Sequence, residues 1–267
     1  MPSISVSPFR RALLAQDIAA LEKALVQDPS LLLQRVPWRL DSSVAVAPIA
    51  SACASLGLAD SLAWVIEKHQ QTGIELKAVD QHGNTPAVLA CRQGHAPALQ
   101  VWLSFDPQSV DGQDEDGDDL LDIVVSRSHI DCLDVLVNAG ADPTAWEDGA
   151  SSSLLHLASE MSTPAMIVHL VQQCRLPVEG HNGREQTPLE HLVESTIVVD
   201  EEKAPRVQAL FDAGARCRFP LSKDLQQSLQ GQPLTRAVFD QQRAQRLGGR
   251  LSARLPEPSP PVSKPRF

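Results

Sequence analysis

Residues 85–90, Thr-Pro-Ala-Val-Leu-Ala, open an apolar segment, and related stretches recur along the chain at a fixed spacing. Asp-Leu-Leu-Asp-Ile-Val at 119–124, Ser-Leu-Leu-His-Leu-Ala at 153–158 and Thr-Pro-Leu-Glu-His-Leu at 187–192 each follow the previous copy by 34 residues. Every copy begins with threonine, aspartate or serine, whose side-chain oxygen can accept from a free N–H in the first turn of a helix. The spacing therefore predicts four helices that begin at equivalent positions. In the last copy, Glu190 completes a capping box with Thr187.

A second apolar segment and a stop follow these helices. Gly94-His95 recurs 34 residues later as Ser128-His129, in each case just before the second segment. The stretch 138–143 (NAGADP) places a glycine helix stop before a proline, and a related stop stands at 212–215. Polar turns at 80–84, 114–118 and 182–186 separate the units. The order of turn, helix, short loop, helix and stop predicts a stack of helix pairs.

This pattern resembles the ankyrin repeat over roughly residues 44–219. Thr85-Pro86 with Gly94-His95, and the stop at 139–142, are its most specific parts. The resemblance implies an all-α fold, an ankyrin-like α-solenoid of about five helix-turn-helix repeats. It also implies that a histidine at the position of His156 ties adjacent repeats together. The first copy, at Ala47-Pro48, has no capping side chain.

The predicted organisation has a helical cap at each end. N-terminal capping helices occupy 1–43, and the repeats lie at about 44–79, 80–113, 114–147, 148–181 and 182–218. A C-terminal helical cap spans 219–247, and a disordered, proline-rich basic tail spans 248–267. Two insertions break the spacing: 67–76 adds about one helical turn, and 194–205 adds a second segment. In solenoids, insertions often lie on the binding face, although a merely tolerated loop is an equal alternative.

Composition and charge exclude several function classes. The net charge is −10, although seven basic and only two acidic residues lie between Thr235 and Phe267. An acidic body and 4% aromatic residues argue against nucleic-acid binding. No apolar run reaches membrane-spanning length, so no membrane partner is expected. Five isolated cysteines fit reduced core thiols in a cytoplasmic protein. The charge favours a partner with a basic surface, while a solubilising surface is the plainer alternative.

Residues that could carry chemistry follow the repeat instead of forming one site. His95 and His129 occupy the same slot in successive units, which packing predicts. The acidic run 111–119 does not match an EF-hand calcium loop: with Gly117 at position 6, glycine falls at position 1 and isoleucine at position 12. No nucleophile-elbow, zinc-protease or phosphate-loop motif is present. We therefore expect no enzymatic activity, no metal site and no cofactor.

The resemblance also implies where a partner binds. In ankyrin-repeat proteins the turn tips and the outer side of the first helices usually carry the contacts. By position, this implicates Gln81, His82, Asn84, Arg92, Gln93, Glu115, Asp116, Asp118, Ser126, Arg127, Gly183, Arg184 and Gln186. Trp146 joins them because it lies in a polar turn and interface hot spots are enriched in tryptophan. Half-buried packing against the next turn is the alternative for Trp146.

These observations predict a non-enzymatic protein–protein interaction module, monomeric when free. It would act as an intracellular scaffold, chaperone or inhibitor that binds through the concave face and turn tips. The alternative is a secreted bacterial effector that engages a target-cell protein and has no cleaved signal peptide. The polar start at 1–7, with three serines, fits either interpretation.

Overall fold

The computed structural model describes residues 7–40, 43–76, 78–145, 152–217 and 221–252. Most of these residues are helical, and two strands lie near the N-terminus. The α-helices are α1 (Pro8–Leu14), α2 (Ile18–Gln27), α3 (Ile49–Ser55), α4 (Ala59–Thr72), α5 (Pro86–Gln93), α6 (Ala96–Phe105), α7 (Leu120–Ser126), α8 (Ile130–Asn138), α9 (Leu154–Met161), α10 (Pro164–Gln172), α11 (Pro188–Glu194), α12 (Asp200–Asp212), α13 (Lys223–Ser228) and α14 (Pro233–Ser252). The strands are β1 (Arg35–Leu40) and β2 (Ser43–Pro48), and short 3-10 helices lie at Pro29–Leu33, Pro107–Asp111 and Leu229–Gly231.

Helices α3 to α12 form five stacked pairs. The two helices of each pair contact one another, and the first helices α3, α5, α7, α9 and α11 contact one another in succession. The first helices from α5 onward begin at Pro86, Leu120, Leu154 and Pro188, which preserves the 34-residue spacing. This arrangement confirms the ankyrin-like α-solenoid.

The helix starts are capped as the sequence predicts. The Thr85 hydroxyl accepts from the backbone N–H of Val88, and the Asp119 carboxylate accepts from the N–H of Asp122 at 2.8 Å. Capping boxes close the starts of α9 and α11, at Ser153 and Thr187. The first repeat lacks this device, because its N-cap residue is Pro48. Each cap satisfies N–H groups that have no partner within the helix.

A glycine–histidine contact joins consecutive repeats. Gly57 and Gly94 follow the first helices of their repeats with φ of 70° and 75°, a region that favours glycine. A Cβ on Gly57 would lie 2.7 Å from Nδ1 of His95, and one on Gly94 would lie 2.6 Å from Nδ1 of His129. The shared slot of the two histidines is therefore a packing position, as their spacing predicts.

The third repeat makes this contact with hydroxyl groups instead. Ser128 stands where the earlier repeats have glycine, and its φ of 62° shows the same left-handed backbone. Its Oγ lies 2.7 Å from Oγ of Ser162 and accepts from the N–H of Thr163 at 3.0 Å. These hydrogen bonds replace the glycine–histidine packing where the next repeat has no histidine.

The two insertions differ in structure. Helix α4 has 14 residues whereas α6 has 10, so the first insertion is the extra helical turn that was expected. The second insertion is a loop only up to Val199, because α12 begins at Asp200. Asp200, Glu201 and Glu202 fill the first turn of α12, where carboxylates interact favourably with the helix dipole.

The ends of the chain add features that the sequence did not reveal. Gln16, with φ of 52°, separates α1 from α2. Strands β1 and β2 pair antiparallel between the N-terminal helices and α3, in a register from Arg35–Pro48 to Leu40–Ser43.

At the C-terminal end, α14 continues to Ser252 and thus extends beyond residue 248, where the basic tail was expected to begin. Glycine lowers helix propensity by about 1 kcal/mol, which weakens a helix without ending it. The rest of the basic tail lies outside the described residues.

Candidate partner-binding surface

Three turn tips share one hydrogen-bond pattern. The Oδ1 atom of Asp114 accepts from the N–H of Asp116 at 2.9 Å and from the N–H of Asp118 at 3.0 Å. The N–H of Asp114 donates to the carbonyl of Asp118 at 2.9 Å. Asp80 and Asn182 make the same three contacts within 80–84 and 182–186. Each tip is therefore fixed before a partner arrives, which lowers the entropy lost on binding.

The residues that organise these tips were not among the sequence candidates. Asp80, Asp114 and Asn182 are the first residues of the polar turns at 80–84, 114–118 and 182–186. The signal was present, since aspartate or asparagine recurs there at multiples of 34 residues. Asx side chains commonly accept from backbone N–H groups two residues ahead in turns.

A charged network joins the first two tips. An Arg92 nitrogen lies 2.8 Å from Oδ2 of Asp114, and the other lies 3.4 Å from Oε1 of Glu115. Nδ1 of His82 lies 3.2 Å from Oε2 of Glu115. Burial by itself would raise the pKa of Asp114, but hydrogen bonds from Arg92 and from the backbone N–H groups of Asp116 and Asp118 outweigh it and lower that pKa. Asp114 therefore stays ionised within the tip.

The outer carboxylates of the second tip face solvent. Asp116 and Asp118 are exposed, and they enter none of the ion pairs found among the described residues. Desolvation raises the pKa of Asp118, and the neighbouring charges of Asp114, Asp116 and Asp119 raise it further. These neighbouring negative charges repel one another, so a cation that approaches Asp118 would reduce the repulsion.

The structure places most of the predicted binding residues at the surface, but not all of them. The exposed ones are Gln81, His82, Gln93, Glu115, Asp116, Asp118, Arg127, Gly183 and Arg184. Those that are partly buried are Arg92, Ser126 and Gln186. Asn84 is only 1% exposed, and its side chain donates to Asp80 at 3.3 Å, so it supports the turn and is not available to a partner. Trp146 lies outside the described residues.

His156 connects the fourth repeat to the fifth. Its Nδ1 lies 3.2 Å from the backbone nitrogen of Ser153, and its Nε2 lies 3.0 Å from the carbonyl oxygen of Gln186. One ring thus bridges a helix start and the next turn tip, which is the role that the family resemblance implies for this position.

A metal site and a membrane span each place requirements on the described residues. No cluster of three or more histidine, cysteine, aspartate or glutamate residues there has the geometry to hold a metal ion. None of the described helices is both long and apolar enough to cross a membrane.

Comparison with known proteins agrees with this architecture. The family model for ankyrin repeats, in three copies, matches residues 50–146. The NF-kappa-B p105 subunit of Gallus gallus is 28% identical over 129 residues, which are 48% of this chain and 13% of that protein. The E3 ubiquitin-protein ligase KEG of Arabidopsis thaliana is 26% identical over 151 residues, 55% of this chain and 9% of that protein. The chain thus matches only a small part of these relatives.

A solved structure resembles the chain over most of its length. The human ASB11 ankyrin repeat domain superposes with a TM-score of 0.56 at 20% identity, covering 87% of this chain and 96% of that domain. At this identity the likeness concerns the fold alone. The family match itself covers residues 50–146, and the described helix stack continues the same fold beyond that range; ankyrin repeats in general are protein–protein interaction modules.

Proposed function

We propose that this chain binds a protein partner with a basic surface, through its turn tips and the outer side of its first helices. The acidic tip at 114–118 carries the proposal, because it presents exposed carboxylates on a backbone that Asp114 holds in place. The expectation of a non-enzymatic role rests on the fold, since ankyrin repeats typically act as interaction modules.

Electrostatics would mainly increase the association rate and the selectivity of this surface. Exposed carboxylates attract a basic partner over a Debye length of about 8 Å at physiological salt. Such steering raises association rates and disfavours partners of like charge. Binding should therefore weaken as salt concentration rises. Gln81, Gln93, Arg127 and Arg184 would supply the surrounding polar contacts.

The test compares two variants of equal charge in affinity capture from native lysate. Asp116→Lys with Asp118→Lys reverses the tip, while Asp114 is retained because it holds the turn. Glu75→Lys with Asp240→Lys makes the same change in net charge at exposed positions away from the tip. We expect a partner that the native chain and the control both capture and that the tip variant loses at least tenfold. Equal capture of the partner by both variants would rule out the acidic tip as its binding site.

The biological role is a finer part of the same proposal. We propose that the chain acts in the cytoplasm of its own cell as a scaffold, chaperone or inhibitor, and that it is monomeric when free. Light scattering after gel filtration should then give a mass near 28.9 kDa. The alternative is a secreted effector, and the polar start at 1–7 is compatible with both roles. A reporter enzyme fused after these residues and assayed for export would separate the two.

A further inference from the structure

Four large apolar side chains are exposed near the end of the repeat stack. They are Met161 at the end of α9, Ile197 and Val199 in the loop before α12, and Leu234 in the first turn of α14. Their exposed fractions are 52%, 76%, 56% and 49%, respectively. We call this set the C-terminal apolar patch. Clustered apolar exposure of this kind marks interaction sites more often than isolated exposed residues do.

Hydrogen bonds bring together the segments that carry these four residues. The Ser195 hydroxyl accepts from the N–H of Ile197 at 3.3 Å and donates to the carboxylate of Glu160, the residue before Met161. At the other side, the carboxylate of Asp200, the residue after Val199, accepts from the N–H of Leu234 at 2.8 Å. The loop before α12 therefore spans the space between the ends of two helices.

The backbone imposes the exposure of Ile197 and Val199. Val198, which lies between them, is only 8% exposed and packs inward. The ammonium group of buried Lys203 donates to the carbonyl of Ser195 at 2.7 Å. The backbone N–H of Lys203 donates to the carbonyl of Val199 at 2.9 Å. The loop is thus fixed at both ends, and the two side chains on either side of Val198 point outward.

Acidic groups surround the patch. The carboxylates next to its members belong to Glu160, Glu194, Asp200, Glu201 and Glu202, and those of Glu194, Glu201 and Glu202 are exposed. Two cations of this region are already bound, while Arg236, two residues after Leu234, is exposed. Lys203 is buried, and Arg206 binds the Glu202 carboxylate at 3.3 Å and the carbonyl of Glu160. An apolar centre with an acidic rim complements a segment of the opposite charge.

We propose that the C-terminal apolar patch binds a partner segment in which two or more apolar side chains are flanked by lysine or arginine. The apolar side chains would cover Ile197 and Val199, and the cations would meet Glu201 and Glu194, whose carboxylate also accepts from the Gln186 side chain. None of the four apolar residues belongs to the turn-tip surface, so this site goes beyond the function proposed above. A partner could engage one surface without the other.

A model peptide tests the proposal with the full-length protein. The probe is a fluorescently labelled 18-residue peptide with leucine at positions 5, 8, 9 and 12 and lysine and glutamine elsewhere, followed by anisotropy. Ile197→Ser with Val199→Ser should weaken its binding at least tenfold. Val26→Ser with Leu33→Ser, which changes equally exposed apolar residues in the N-terminal cap, should leave binding unchanged. A peptide with serine in place of leucine should also bind at least tenfold more weakly.

Three outcomes would overturn the proposal. The first is equal binding by the Ile197/Val199 variant and the native chain, provided that thermal unfolding shows the variant to be folded. The second is loss of binding only in Asp116→Lys with Asp118→Lys, which would assign the peptide to the turn tip. The third is a tenfold gain when Arg254, Lys264 and Arg266 are changed to serine, because the chain's own basic tail would then be the occupant.

Discussion

Replacing Gly94 with alanine should destabilise the stack at the glycine–histidine contact between the second and third repeats. Gly94 closes α5 with φ of 75° and ψ of 25°. A Cβ at this position would lie 2.6 Å from Nδ1 and 2.8 Å from Cε1 of His129. These distances are too short for non-bonded atoms. The His129 ring or the backbone must therefore move within a close-packed interface.

Two separate costs add at Gly94, and Gly73 bears only one of them. The left-handed backbone costs a non-glycine residue about 1–2 kcal/mol. Overpacking a tight contact costs about 1–3 kcal/mol more. Gly73 closes α4 with φ of 67° and ψ of 11°, and a Cβ there would meet nothing within 4 Å. Gly94→Ala should thus lower the free energy of unfolding by about 1–3 kcal/mol more than Gly73→Ala does.

Urea unfolding followed by circular dichroism measures the free energy of unfolding of both variants. In thermal unfolding, each kcal/mol of lost stability should lower the Tm of a chain of this size by about 2–4 °C. A double-mutant cycle with His129→Ala should show that removing the ring recovers much of the extra loss at Gly94. Equal losses for the two glycine variants, or strictly additive effects with His129→Ala, would refute the steric explanation.

Three further predictions follow from the buried ionisable groups. Burial lowers the pKa of His95, so the folded state binds fewer protons than the unfolded state, and stability should fall as pH drops below about 6.5. His95→Asn should flatten that part of the curve in urea unfolding. The pKa of Asp114 is also lowered, so its contribution is present above about pH 4 and is lost as pH falls through the folded-state pKa. Asp114→Asn should therefore cost about 1–2 kcal/mol at pH 7 and progressively less as pH falls below about 4, checked by the same unfolding experiment. Burial raises the pKa of Cys132 to about 12, so this thiol should react with a disulfide reagent at pH 8 only after unfolding. Burial and the charge of Asp134 also raise the pKa of Cys174, but this thiol is only partly buried and should react slowly in the native state.

The sequence predicts the helices of the repeats well because their signals are local. A capping side chain, followed by proline in the two copies at Thr85 and Thr187, indicates where a helix begins, and the 34-residue spacing repeats that signal four times. The β1–β2 hairpin was missed because strand pairing depends on the register between two segments, not on one period. Its pairing from Arg35–Pro48 to Leu40–Ser43 also crosses the boundary at which the repeats were expected to begin.

The turn tips show why polar residues of one turn have different roles. Asn84 and His82 both belong to a polar turn, yet Asn84 is buried and His82 is exposed. The N–H groups of both residues donate to Asp80, but the side chain of Asn84 turns inward to bind that same aspartate. Only a complete account of the hydrogen bonds separates the residue that supports the turn from the one that a partner can reach.

The second insertion has an inward and an outward side, and the two should be separable by mutation. Inward, Lys203 binds the carbonyls of Val193 and Ser195, and Asp200 binds Thr235 at the start of α14, so the insertion joins the last repeat to the C-terminal cap. Lys203→Met would leave the Ser195 carbonyl without this donor, at about 1–3 kcal/mol, whereas the Val193 carbonyl would still accept from the Gln232 side chain at 3.0 Å. Outward, Ile197 and Val199 contribute little to this junction, so serine at both positions should change stability by less than about 0.5 kcal/mol per site. Thermal unfolding of Lys203→Met and of the double serine variant measures the two losses of stability. A large loss of stability with serine at 197 and 199 would mean that these residues serve the junction and are not held out for a partner.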